Sequence, residues 1–294
     1  MVHFVGAGPG ATDLITVRGM ELLKKADLVI YAGSLVNPAL LDYCRKDIKI
    51  YDSSRLTLDE VIAIIRDFEA GASGENGEEV TGSGENGEEV TGSGTKGEEV
   101  IGRKGEKVIG TGDGVNIVRL HTGDPCVYGA IREQMEELEK IGIEYDVTPG
   151  VTAAFGAAAS LGIEYTLPGI SQSLIITREE GKTAVPDKET IRSFAKHNCS
   201  MAIYLSTGLI EKLTENLLAG GFSKDTPAAI VYKATWEDEK RAVTTVAGLK
   251  ETVDSMGINK TAVILVGNAI NPVGNVERSK LYSPDFSTEF RASK

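Results

Sequence analysis

Cysteine is scarce in this 294-residue chain: Cys44, Cys126 and Cys199 stand far apart, with no C-x-x-C pair. An odd and scattered set supports neither a disulfide framework nor a thiolate zinc site, so reduced, buried thiols are expected. Histidine is as sparse. His3, His121 and His197 share no ligand spacing, and no metal is expected. No apolar run approaches the roughly 18 residues of a membrane span, and the N-terminus lacks the basic and apolar regions of a signal peptide. A cytoplasmic protein with no membrane partner is therefore expected. Positive charge is also short, because a net charge of -12 suits no phosphate-binding surface and argues against nucleic acid.

Glycine is what the chain has in quantity. Of 34 glycines, 14 fall in residues 71–114, where ten-residue near-repeats (GASGENGEEV, TGSGENGEEV, TGSGTKGEEV) carry nine Glu and one Asp against three Lys and one Arg. This stretch is read as a glycine-rich insertion, since it offers little apolar surface to offset the entropy of ordering; a small sheet of EEVT strands is the alternative. It interrupts the chain between a helix and a strand. Such a connection lies at the N-terminal edge of a parallel sheet, whereas ligands bind outside the C-terminal edge.

Around the insertion, apolar runs alternate with amphipathic segments. Val2–Val5 leads into Gly6, Gly8, Pro9 and Gly10, then ITVRGMELLKKA; ADLVIYAG and Lys49–Tyr51 read as further strands, and Thr57 with Glu60 makes a capping box. The strand Val115–Leu120 ends in His121-Thr122-Gly123-Asp124-Pro125, and a fifth strand, Ile143–Val147, ends in Pro149-Gly150-Val151-Thr152 before an Ala- and Gly-lined helix. Asp124 reads either as a ligand contact or as the cap of the following helix. A second set of apolar runs (173–177, 201–206, 227–235, 242–246, 261–267) alternates with helices near 188–197, 207–219 and 248–256. The expected fold is α/β: two α/β/α domains, 1–166 and 167–270, with a ligand cleft between them and a tail over 271–294. The glycine turn alone also suggests a nicotinamide-dependent dehydrogenase. Against that, GxGPG lacks the GxGxxG spacing, Pro9 removes an N–H, and no acidic residue ends the second strand.

Taken together, VGAGPG with DLIT, LHTGDPCVYGA, PGVTA, MAIYLS and PAAIVYKATW resemble the tetrapyrrole (corrin and porphyrin) methylase family. The resemblance spans residue 2 to about 267, apart from the insertion, and YAGSLV, YGAIREQ, EYTLPGISQ, ITREEGKTAVP and ATWEDE mark a branch acting on a corrinoid precursor. It implies C-methylation from S-adenosylmethionine at C11 of precorrin-4 or its cobalt form, by a homodimer; another ring position, or a non-catalytic tetrapyrrole carrier, are the alternatives. It places donor contacts on Pro9, Gly10, Thr122, Gly123, Asp124, Val127, Thr152, Ala153, Leu205 and Ala234. Asp124 is also the candidate base, and Arg178, ahead of Arg119, the candidate for substrate carboxylates. The stretch Gly181–Pro186 departs from the arginine-threonine-proline pattern expected there.

Overall fold

The computed structural model describes residues 1–72, 114–272, 277, 279, 280 and 283–293. The sequence-read insertion over 71–114 lies almost entirely outside the described residues. By contacts the chain divides into Met1–Thr152 and Ala153–Lys294.

In the first unit, β1 (Val2–Gly6), β2 (Leu28–Tyr31), β3 (Lys49–Asp52), β4 (Ile117–His121) and β5 (Tyr145–Thr148) form a sheet in the order β3-β2-β4-β1-β5, every pairing parallel. Helices α1 (Val17–Lys25), α2 (Leu58–Ala72) and α3 (Ile131–Lys140) supply the crossovers. Strand alternation sorts the side chains. Val5, Val29, Val118 and Leu120 pack with Leu22 and Leu23 of α1 on one face, while Val2, Phe4, Leu28, Ile30 and Ile117 pack with Val61 and Ile65 of α2 and Leu138 of α3 on the other. The adjacent strands β1 and β4 thus feed helices on opposite faces, which makes their C-terminal ends a topological switch point. The capping box forms as read: Thr57 N donates to Glu60 Oε2 at 2.7 Å, and Glu60 N donates to Thr57 Oγ1 at 3.3 Å.

The second unit begins with α4 (Ala153–Leu161), followed by β6 (Leu174–Arg178), α5 (Ile191–Ala195), β7 (Ser200–Tyr204), α6 (Ile210–Gly220), β8 (Pro227–Tyr232), β9 (Lys240–Thr245), α7 (Leu249–Met256) and β10 (Ala262–Val266). Its sheet runs β6-β7-β10-β8-β9. It is mixed: β6 and β7 are parallel, and β10 runs antiparallel to both β7 and β8. Met201, Ile203, Ile230 and Ile264 face α5, α6 and α7, and Ala202, Ala229, Val231 and Leu265 face α4. That second contact is why α4, read from the sequence as part of the first half, belongs to the second unit. Ala154 and Ala157, fully buried, bring its backbone close to the sheet.

The thiols depart from expectation. Cys126 is exposed and Cys44 and Cys199 are half-buried, because Cys126 sits in a loop at the sheet edge rather than on a strand. Among the described residues, no helix is long and apolar enough to cross a membrane, and no cluster of His, Cys, Asp and Glu is arranged to hold a metal ion.

Candidate functional site

Three loops converge where β1, β4 and β5 end. Ala7 N donates to His121 O at 2.7 Å; Gly8 N donates to Gly123 O at 3.2 Å, and Gly123 N to Gly8 O at 2.9 Å, so the first two loops are stitched by a bridge. Glycine is required at this seam. Gly8 and Gly123 hold φ of 78° and 61°, and a Cβ on Gly150 would stand 2.2 Å from Gly123 O and 2.8 Å from Gly6 Cα. Pro9 and Gly10 are buried in this seam, and Asn37 Nδ2 donates to Gly10 O at 2.9 Å.

Asp124 fastens the third loop. Its Oδ1 accepts from Cys126 N at 2.8 Å and its Oδ2 from Gly150 N at 2.9 Å. It does not cap α3, as one reading of the sequence held: the residue before α3 is Ala130, in the left-handed region and without a side-chain cap. Both carboxylate oxygens are taken up by main-chain N–H groups, which equips Asp124 to fix loop geometry.

The first unit therefore brings Pro9, Gly10, Thr122, Gly123, Asp124 and Val127 together, with Thr152 two residues beyond Gly150. Their side chains are mostly hydrogen, methyl or hydroxyl. Small side chains of this kind suit a ligand such as S-adenosylmethionine, recognised through main-chain groups; Gly6 and Gly150 serve the packing of the loops themselves, since any Cβ there would collide with the backbone of a neighbouring loop. Thr148 Oγ1, at the end of β5, is buried and has no hydrogen-bond partner among the described residues.

In the second unit Leu205 follows β7 and Ala234 follows β8. Both strands run antiparallel to β10, so these two residues share one sheet edge. Tyr204 Oη accepts from Ala154 N at 2.6 Å, which draws the start of α4, with Ala153, to that edge. Leu205 is 69% exposed with φ 55°, a costly state for a leucine that ordinary core packing does not explain. Lys233 and Thr235, flanking the buried Ala234, also hold positive φ. Backbone strain thus collects at motif positions of both units, with Tyr128 and Ala130 in the first.

Arg178 is drawn elsewhere. Its guanidinium donates to the carbonyls of Glu179, Thr183 and Ala184, holding its own loop in shape. Sequence reasoning gave too little weight to Arg119. As a strand residue it looked structural, yet i, i+2 alternation places it beside His121 on one face of β4. Burial and the Arg119 charge push the His121 imidazole down to about 3, so it is neutral at physiological pH.

Comparison with known proteins adds the following. The model of the Tetrapyrrole (Corrin/Porphyrin) Methylases matches residues 1–250. A cobalt-precorrin-4 C(11)-methyltransferase of Methanocaldococcus jannaschii is 41% identical, covering 99% of this chain and 96% of its own length. A precorrin-4 C(11)-methyltransferase of Sinorhizobium is 35% identical over 99% of this chain and 98% of its own. Among solved structures, a cobalt precorrin-4 methyltransferase of cobalamin biosynthesis superposes with a TM-score of 0.75 at 36% identity, covering 92% of this chain and 96% of that one.

Proposed function

The chain belongs to the tetrapyrrole (corrin and porphyrin) methylase family, and from that premise we propose that it is an S-adenosylmethionine-dependent C-methyltransferase acting at C11 of precorrin-4 or cobalt-precorrin-4 in cobalamin biosynthesis. The observation that carries the reading is the glycine seam joining three strand ends at a switch point, in a chain 41% identical to a relative named for that activity.

Pro9, Gly10, Thr122, Gly123, Asp124, Val127 and Thr152 of the first unit are proposed to hold the donor. S-adenosylmethionine supplies an already activated methyl group, so the protein's task is to position and to exclude water. Holding two reactants in near-attack geometry lowers a barrier by about 7 to 11 kcal/mol. Asp124, with both oxygens bonded to backbone, acts in this proposal by positioning rather than as the base. Arg178 shapes the 179–185 loop.

The proposal extends to a cytoplasmic homodimer that engages neither nucleic acid nor membrane; the net charge of -12 supports the nucleic-acid part of that reading, and light scattering is expected to give twice 31.3 kDa. The activity is tested by mass spectrometry after incubating the protein with S-adenosylmethionine and either precorrin-4 or its cobalt form. Gain of one methyl, placed at C11 by NMR, is expected; saturable binding of substrate without methyl gain would make the protein a carrier. Gly123→Arg is expected to abolish S-adenosylhomocysteine binding in a folded protein.

A further inference from the structure

Beside the seam, within the first unit, lies a cavity of about 270 Å³ between β2, β4 and the first turn of α3. Arg119 forms part of its wall and is only 7% exposed. Its Nε donates to Gln134 Oε1 at 3.0 Å and its Nη1 to Ile30 O at 3.1 Å. Among the described residues its Nη2 has no partner, and no carboxylate lies in ion-pair reach. A buried guanidinium without a counter-ion is costly, and it is retained where something else supplies the negative charge.

Three further features point the same way. His121, 4% exposed, lines the cavity, and among the described residues its Nε2 has no hydrogen-bond partner. The helix α3, ten residues long, opens onto the cavity through Gly129 and Ala130 with no side-chain cap, so its first N–H groups and its dipole favour an anion there. Thr122, the donor-loop residue, is shared between the cavity and the seam. Among the described residues the one acid on the wall is Glu133, exposed at the rim, where water screens it, whereas Arg119 is buried.

We propose that this cavity is a carboxylate subsite, in which Arg119 Nη2 and the uncapped start of α3 receive one carboxylate of a bound reactant. Imidazole neutrality at His121 leaves Arg119 as the one positive side chain among the described residues that line the cavity. Two reactants of the proposed reaction carry the required group: the acetate and propionate arms of the macrocycle and the amino-acid end of the donor. The assignment rests on the methyltransferase reading only for that choice of source.

The test uses the full chain, with sodium propionate as the probe and saturation-transfer NMR as the readout. Saturable propionate binding is expected in the wild type and its loss in Arg119→Gln, with Arg119→Lys restoring it. Ala130→Asp, which places a carboxylate at the start of α3 at a left-handed position that Asp tolerates, is expected to fold and to displace propionate; it serves if Arg119→Gln does not fold. In kinetics, a rise of about tenfold or more in corrinoid KM with unchanged S-adenosylhomocysteine Kd assigns a macrocycle arm; the converse assigns the donor. Absence of saturable propionate binding to the wild type, binding that persists unchanged in Arg119→Gln and Ala130→Asp, or variants whose KM and Kd both match the wild type, would overturn the subsite. Should the wild type transfer no methyl yet bind propionate through Arg119, the function fails and the subsite stands.

Discussion

At the residue scale, the chemistry of two side chains is decided by what surrounds them. Asp124 offers two oxygens and both accept main-chain N–H groups, at 2.8 and 2.9 Å. Asp124→Asn presents an N–H to one of those donors, so one charge-assisted bond is lost, at a cost of about 1.5 to 3 kcal/mol. The expected result is a rise of about tenfold in the Kd for S-adenosylhomocysteine, with kcat at saturation little changed; a collapse of kcat with unchanged Kd would instead make Asp124 the base. His121 carries a different consequence. Its folded-state value lies near 3, lowered first by burial and then by Arg119, whereas in the unfolded chain it titrates near 6.5. Between those values the unfolded state binds the extra proton, so stability is full above about 6.5 and falls as pH drops toward 3, by up to ~1.4 kcal/mol per pH unit. Urea unfolding at pH 7 and pH 5 is expected to show this loss, and His121→Gln to have a smaller difference between the two pH values.

At the element scale, the glycine junction is the joint that sets three loops in register. Gly150→Ala forces a Cβ to within 2.2 Å of Gly123 O and 2.8 Å of Gly6 Cα. Neither atom belongs to a flexible side chain, so the loops must separate. A loss of about 1 to 3 kcal/mol in stability is expected, together with weakened donor binding, both read by thermal unfolding with and without S-adenosylhomocysteine. How much of this was legible in the chain differs from element to element. The strands and the Thr57 capping box were, because they depend on period and on residues three apart. The parallel order of the first sheet followed from strand-helix alternation, but the antiparallel place of β10 did not, since nothing local in TAVILVG records strand direction. The start of α3 was misread for a related reason: Asp124 is a good capping residue by type, yet the tie to Gly150, 26 residues on, is tertiary. Leu205, in an apolar run, had the pattern of a core residue and is instead exposed and strained; only its motif marked it. Arg119 was seen and discounted, because a sequence does not show that a buried cation lacks a counter-ion.

At the scale of the whole molecule, charge and topology bear on the repeat segment. Residues 71–114 carry a net -6 of the chain's -12, and the proposed substrate is a polyanion, so the segment opposes substrate approach wherever its field reaches. The segment's attachment points lie at the sheet edge opposite the loops of the glycine seam. The described residues on either side, the end of α2 and the approach to β4, meet at the N-terminal ammonium, where Met1 N donates to Glu69 Oε1 at 2.8 Å and to Val115 O at 2.9 Å. From there the strand β4 runs five residues, about 17 Å at ~3.3 Å per residue, to the loops at its other end. The Debye length is about 10 Å at 0.1 M salt and about 30 Å at 0.01 M. Replacing residues 73–113 by a short glycine linker spans ends that the ammonium already holds close, and removes a net -6. At 0.1 M salt and above, kcat/KM of the trimmed chain is expected to stay within about twofold of the full chain. At 0.01 M, where the field is unscreened, its KM for the macrocycle is expected to fall below that of the full chain, and the gap to close as salt is added. Loss of methyl transfer at every salt concentration in a folded trimmed protein would show that the segment supplies part of the site itself.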